Sequence, residues 1–246
     1  MRSIRILEVR IDLLDYGALT QMVDTALRGN IPHLFTAPHF YILLLASRQT
    51  WLARLLDRSA INYIDGVGTW FASRVLGARK TPRINGTDFH AQMLALALKE
   101  KRKVYFLGGD EATCSALEKR IHSSHPEASV AFQHGHIDTA DDRIPEAINA
   151  FAPELLFIGL GTPKQFAWLD LHFDTLKVPV VLATGAFLDF AAGTRPRAPR
   201  WMRRAGLEWL HRLLHDPRRL WRRYILGIPA FLFLLLRERL RGTSRS

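Results

Sequence analysis

The sequence predicts an α/β protein: a mainly parallel, Rossmann-like sheet with flanking helices, followed by a helical, basic C-terminal appendage. Three observations carry that expectation. Short apolar segments alternate with helical patterns between residues 34 and 184; four strand ends carry glycine-rich turns; and the positive surplus of the chain is confined to its last fifth. Alternation of this kind requires a helix to return the chain between parallel strands.

In order, Leu34–Thr36, Ile61–Ile64, Val104–Gly108, Val130–Phe132, Leu155–Gly159 and Val178–Thr184 read as strands. Helical patterns fit Leu19–Leu27, Trp51–Leu56, Trp70–Leu76, Phe89–Lys99, Ala112–His122, Ile144–Phe151 and Phe166–Phe173. The pattern changes near Gly193–Pro199, which sets the expected division: residues 1–194 form the α/β catalytic domain and 195–246 the appendage. Within the latter, Asp216 and Pro217 suit an N-cap and first turn for a helix running to about Gly227. At 100° per residue its Leu220, Trp221, Tyr224, Ile225 and Ile228 share one arc, and Arg218, Arg219, Arg222 and Arg223 the other.

From Arg195 onward the chain holds 14 arginines, no lysine and three acidic residues, a surplus equal to the net +11 of the whole protein; residues 1–194 are formally neutral. Trp201, Trp209, Trp221 and Tyr224 lie in the same stretch, which runs into the apolar Ile225–Leu236. Cations beside apolar side chains suit an anionic membrane surface. A nucleic acid would also attract the arginines, but gives no reason to expose the aliphatic run; packing within the fold or in a homo-oligomer interface are the other uses of that run. Interrupted by Pro229, it is shorter than the roughly 20 residues that span a bilayer. The N-terminal residues lack a secretory pattern, and the single cysteine, Cys114, excludes an internal disulfide and leaves a reducing compartment as the default.

In a parallel sheet the turns after the strands are the first candidates for chemistry. The turns at Asp65–Gly68, Leu107–Asp110, Gly159–Pro163 and Thr184–Gly185 could present backbone N–H groups to a phosphate, or could be tight turns that need glycine. Asp65 could accept a proton from a substrate hydroxyl or fix a turn. Arg83 lies in a polar loop where Thr87 or Asp88 could cap the next helix. Lys164 and Gln165 open a helix at the ligand edge. His134 and His136 have no third ligand at zinc spacing, there is no Asp-x-Asp pair for a divalent ion, and neither a Walker A motif nor a full dinucleotide fingerprint is present.

Read together, these segments resemble the WecG/TagA/CpsF family of bacterial glycosyltransferases. The resemblance runs from Thr36 to Tyr224 through Tyr63-Ile64-Asp65-Gly66, Arg83-Ile84-Asn85-Gly86-Thr87-Asp88, Phe106-Leu107-Gly108-Gly109, Gly159-Leu160-Gly161-Thr162-Pro163-Lys164-Gln165, Gly185-Ala186-Phe187-Leu188-Asp189, Arg197-Ala198-Pro199-Arg200-Trp201, Gly206 to Leu213 and Asp216-Pro217-Arg218-Arg219. It implies an inverting transfer of a hexose or N-acetylhexosamine from a UDP-sugar to a polyprenyl-diphosphate-linked saccharide, at the cytoplasmic face of the bacterial inner membrane, for a surface polysaccharide. It implies no cofactor and no metal. Asp65 then resembles the general base, Thr36 and Gln165 contacts to sugar or acceptor, Arg83 the site arginine, and Arg212, Arg219 and Arg222 the arginines that close over the diphosphate. Asp88, Gly108, Gly109, Gly161, Lys164 and Gly185 complete the expected substrate-binding set. The chain departs from the family's pattern where Pro38 replaces an asparagine, Phe166 a glutamate and Gly185-Ala186 a glycine-richer turn, so the resemblance does not specify the sugar. A noncatalytic nucleotide or lipid-sugar binding module is the rival reading.

Overall fold

A computed structural model describes residues 1–78 and 81–243. The chain opens with an antiparallel hairpin, β1 (Ser3–Ile6) and β2 (Val9–Asp12). The sheet then comprises β3 (His33–Thr36), β4 (Ile61–Asn62), β5 (Val104–Gly108), β6 (Val130–Gln133), β7 (Leu155–Gly159) and β8 (Val180–Ala183). Their order is β4-β3-β8-β7-β5-β6, with every pairing parallel. The helices are α1 (Tyr16–Leu27), α2 (Phe40–Ala46), α3 (Thr50–Arg58), α4 (Gly66–Val75), α5 (Gly86–Lys99), α6 (Glu111–Ser124), α7 (Arg143–Phe151), α8 (Lys164–His172), α9 (Phe187–Ala192), α10 (Arg200–Arg204), α11 (Glu208–His215), α12 (Pro217–Trp221) and α13 (Gly227–Thr243). The predicted α/β architecture with a helical tail is the one observed.

Two cores, one on each face of the sheet, follow from the period of two along the strands. Leu34, Leu107, Leu156, Ile158 and Val181 point to one, with the hairpin, α2, α3 and α8; Phe35, Phe106, Phe157 and Leu182 point to the other, with α1, α5, α6 and α9. Both faces being covered, the strands read as unbroken apolar runs rather than alternations. In the second core Phe106 stacks on Phe132 at 4.9 Å and on Phe157 at 5.4 Å, and Phe157 on Phe187 at 5.6 Å, a ladder of rings that ties three strands to α9.

The hairpin and α2 are absent from the sequence reading. The hairpin turn uses Leu7 and Glu8 at φ 48° and 72°, so it lacks the Asn-Gly or Asp-Gly signal of such turns; the Leu7 amide donates to the Glu238 carboxylate of α13 at 3.0 Å. Helix α2 is a continuous apolar run whose periodicity does not separate helix from strand.

The tail also differs from expectation. The helix does not stop at Gly227: a π turn at Arg222–Leu226 joins α12 to α13, which continues to Thr243. Pro229 has no N–H and its ring would crowd the carbonyl four residues back, a conflict that a widened turn just before it relieves. Asp216 makes no side-chain cap and instead pairs with Arg219 at 2.6 Å. One face of α13 packs on α2. Gly227 lets the helices approach, since a Cβ there would lie 3.3 Å from the Tyr41 ring. Phe40 is held between Tyr224 and Phe231, each at 5.9 Å. Tyr224, Phe231 and Leu235 thereby join the core of the hairpin face.

A buried polar knot fixes the β4 edge that carries the site. Asp12, fully buried, accepts from the Asn62 amide at 2.9 Å; the Asn62 side chain donates to the Leu56 carbonyl at 2.7 Å and accepts from the Thr36 hydroxyl. Asn62→Ala orphans a buried hydroxyl and a buried carbonyl, and is expected to cost roughly 2 to 4 kcal/mol in urea unfolding; a loss below about 1 kcal/mol would show the knot to be dispensable.

Candidate active site

Asp65 follows β4 at the carboxyl edge of the sheet. A single parallel bridge to Ile84 draws the polar loop 83–88 beside it, and Oδ1 accepts from the Gly86 amide at 2.9 Å. Gly86 is needed there: a Cβ would stand 3.2 Å from the carboxylate. The side chain does not cap α4; its hydrogen bond goes to the loop 83–88 instead. Burial pushes the Asp65 pKa above the ordinary carboxylate value; the Gly86 hydrogen bond and the Arg212 charge pull it back, while Glu208 adds to the rise.

The tail is stitched to the same loop. Asn85 caps α5 by accepting from the Asp88 amide at 3.1 Å and donates to Glu208 at 2.9 Å. Arg83 donates to the Arg203 carbonyl at 2.8 Å. Arg197 pairs with Asp88 at 2.7 Å, so Asp88 serves to bind the tail rather than to cap the helix.

Between loop and tail lies a cavity of about 340 Å³. Asp65, Arg83 and Asn85 line it from the sheet side; Glu208, Arg212, Arg223 and His39 meet them from the tail and α2; and Phe71, Trp209, Ile228, Phe231 and Leu232 make its apolar part. Among the described residues, neither Arg212 nor Arg223 has a carboxylate within 4.0 Å. Two cations without counter-ions beside a carboxylate of raised pKa can hold an anion and take a proton next to it.

The predicted glycines form a second feature along the same edge. Gly108, at φ 141°, pairs with Gly159, and a Cβ on it would lie 2.5 Å from the Gly159 backbone. Gly109 at φ 70° accepts from the Gly135 amide at 2.7 Å; Gly161 and Gly185 also have positive φ, 77° and 58°. These turns are compact because β5, β7 and β8 are neighbours. Lys164 donates to the Gly135 and Ile137 carbonyls at 3.0 and 2.7 Å, and Gln165, buried, accepts from the Gly185 amide at 3.2 Å. In this structure both side chains brace the rim.

Of the expected residues, then, the structure brings Asp65, Arg83 and Arg212 around one cavity. Thr36 is fully buried with its hydroxyl on Asn62 and does not line it. Arg219 pairs with Asp216, and Arg222 is exposed with its guanidinium 5.4 Å from the Trp221 ring centre; neither lines the cavity. Arg223 does, although a uniform helical phase puts it on the solvent arc with Arg222. It stands at the edge of that arc, about 60° from the buried Leu220 at a 100° step, and its guanidinium turns toward His39 and Tyr41. His39 also lines it, and no motif marks that residue; Glu208 and Trp209 line it too, and they lie in the Gly206–Leu213 segment that carries the resemblance but have no expected role there. Among the described residues no group of three or more His, Cys, Asp or Glu side chains is placed to hold a metal ion; His134 and His136 stand 6.1 Å apart, ring to ring.

A buried carboxylate beside guanidinium groups at the carboxyl edge of a parallel sheet can hold an anion and take a proton next to it. The family profile described as Glycosyl transferase WecG/TagA/CpsF family matches residues 4–245. The chain belongs to that family and is a glycosyltransferase. Among its relatives are the proteins named N-acetylglucosaminyldiphosphoundecaprenol N-acetyl-beta-D-mannosaminyltransferase from Staphylococcus aureus strains MW2 and NCTC 8325 / PS 47. Each is 30% identical over 193 residues, which is 78% of this chain and 75% of the relative.

The rim makes a demand that substitution can check. Gly108→Ala combines a backbone clash with a positive φ, and is expected to destabilise by at least about 3 kcal/mol. Thermal unfolding measures it, and an unchanged melting temperature would refute the close Gly108–Gly159 approach.

Proposed function

We propose that the protein transfers a hexose or N-acetylhexosamine, of the N-acetylmannosamine type, from a UDP-sugar to a polyprenyl-diphosphate-linked saccharide, with inversion at the anomeric carbon and without a metal ion. The observation that carries this reading is Asp65, a carboxylate of raised pKa facing a cavity with two unpaired arginines. The relatives named above, whose acceptor is a diphospho-undecaprenol sugar, support the substrate class.

Asp65 takes the proton of the acceptor hydroxyl as that oxygen attacks the anomeric carbon. The bond from that carbon to the UDP oxygen breaks, and its electron pair leaves on the diphosphate. One base acting in one displacement inverts the centre. The glycine rim supplies the backbone cradle for the nucleotide, with Gly108, Gly109, Gly161 and Gly185 at its turns. Arginines meet the charge of the leaving group: Arg83 and Arg212 from where they stand, Arg219 and Arg222 by rearranging over the rim. The charges of Arg212 and Arg219 already reach Asp189, whose pKa burial raises. Thr36 and Gln165 act in substrate binding through the strand end and the rim that they hold.

Docking on the cytoplasmic face of the inner membrane, as a peripheral protein, is part of the same proposal. No helix among the described residues is long and apolar enough to cross a membrane. The face of the tail turned away from α2 exposes Leu226 at 57%, Phe233 at 66% and Leu236 at 58%, beside Arg222 and Arg237.

Positioned base catalysis contributes about 10² to 10⁴-fold, so Asp65→Asn should lose that much turnover in a UDP-release assay with a lipid-diphosphate acceptor while still binding UDP. Because Asp65 titrates above the ordinary range, the acid limb of kcat/KM should lie above about pH 4 and vanish in the residual activity of that variant. Wild-type turnover in Asp65→Asn would remove the assignment. For docking, Leu226→Ser, Phe233→Ser and Leu236→Ser combined should weaken binding to anionic vesicles by at least about 100-fold, each side chain being worth roughly 1.5 to 3 kcal/mol when buried, with the fold intact by circular dichroism. Undiminished vesicle binding would refute this face as the membrane contact.

A further inference from the structure

Arg223 belongs neither to the solvent face of its helix nor to any ion pair. Its Nη2 stands 2.6 Å from His39 Nε2, its guanidinium lies 5.6 Å from the Tyr41 ring centre and 5.4 Å from that of Tyr224, and its Nε is buried with no hydrogen-bond partner. Arginine only donates, so the contact requires a bare Nε2 and places the single ring proton of a neutral His39 on Nδ1. The ring nitrogens face two donors, the guanidinium and the Tyr41 amide at 3.2 Å; one tautomer can accept from one of them, and the shorter, charge-assisted contact decides it. Burial and the neighbouring Arg223 and Arg212 charges keep His39 neutral.

A cation seated by an imidazole and two ring faces, with no carboxylate, is costly to bury alone. Arg212 raises that cost, since its charge reaches Arg223. The cost falls when a dianion binds at Arg223. The apolar part of the wall favours one dianion: beside the polar groups named above, Phe71, Ile228, Phe231 and Leu232 offer the hydrocarbon next to a prenyl diphosphate an apolar surface. We propose that Arg223 is a further substrate-binding residue of the Asp65 cavity, taking the diphosphate of the lipid-linked acceptor, and that His39 is the positioning residue that aims it. This rests on the acceptor class proposed above.

Calorimetry on the full chain with farnesyl diphosphate in one arm and UDP in the other tests it. Arg223→Ala should weaken farnesyl diphosphate by about tenfold to a hundredfold and leave UDP within about twofold; Arg223→Lys, which keeps charge and bulk but loses the fork, should fall between. In steady state, His39→Leu should raise the acceptor KM by about tenfold with a smaller change in kcat, and His39→Gln, which restores an acceptor near Nε2, should recover most of it. Unchanged farnesyl diphosphate binding in Arg223→Ala overturns the proposal, as does a loss that falls on UDP instead. His39→Leu and His39→Gln equally impaired, with equally lowered melting temperatures, would reduce His39 to packing and overturn its part. A wild-type protein that transfers sugar but binds no farnesyl diphosphate also overturns it, and leaves the proposed function standing. Farnesyl diphosphate bound through Arg223 with no transfer from any UDP-sugar supports the binding site and sinks the proposed reaction.

Discussion

The packing of the tail helix against α2 holds the site together. A segment carrying a net +11 repels itself and gains little from folding back on a neutral body by charge alone. What holds it is apolar: Phe40 between Tyr224 and Phe231, and the close approach at Gly227. Burying three large side chains is worth roughly 1.5 to 3 kcal/mol each, more than the part-exposed ion pair of Arg197 with Asp88 supplies. With that seam formed, Arg212, Trp209 and Arg223 become the outer wall of a cavity whose inner wall is Asp65. Without it, Asp65 would sit at an open strand end in water, and its pKa would have no cause to rise.

The electrostatics follow from that enclosure. In water the charges of Asp65, Arg212, Glu208 and Arg223 would be screened to little effect; behind a wall of rings each interaction strengthens. The carboxylate is drawn two ways, upward by burial and by Glu208, downward by Gly86 and Arg212. Asn85 engages Glu208, which keeps that second carboxylate on the loop and the two guanidinium groups without carboxylate partners. A site in which cations outnumber available anions is organised for an anionic substrate before the substrate arrives, and that lowers the reorganisation a transfer must pay for.

The sequence discloses the layered architecture because six strands are short apolar runs, four of them closed by glycine turns, and Asp65 because it ends one of those four. The order of the strands is not legible, since it depends on which helices return over which face. The hairpin is hidden because Leu7 and Glu8 occupy a turn that usually shows asparagine or glycine. The tail is the instructive case. A constant 100° step sorts Arg223 with Arg222 on the cationic arc, but Arg223 stands at the edge of that arc next to the buried face, and there its guanidinium reaches His39 and Tyr41 while Arg222 stays outside. Gln165 and Lys164 are legible as polar residues at the right edge, yet their hydrogen bonds to Gly185, Gly135 and Ile137 turn them into braces, which no spacing in the sequence reveals.

The angular places of the tail residues bear on how the tail can serve a membrane and a cavity together. Along one helix of uniform pitch, residues that face a bilayer and residues that face the body hold fixed angular places, and a guanidinium between them would snorkel toward the phosphates of the surface. In this tail opposite sides of the helix take these tasks. Arg222 remains beside the exposed Leu226, while Arg223 is withdrawn under the rings of α2. Tyr224, Phe231 and Leu235 hold the helix to the body, and Leu226, Phe233 and Leu236 stay on its outer side. On the proposed function, then, docking uses side chains that the site does not need, so the surface can gather the enzyme at its lipid substrate without drawing away the cation that would receive the diphosphate.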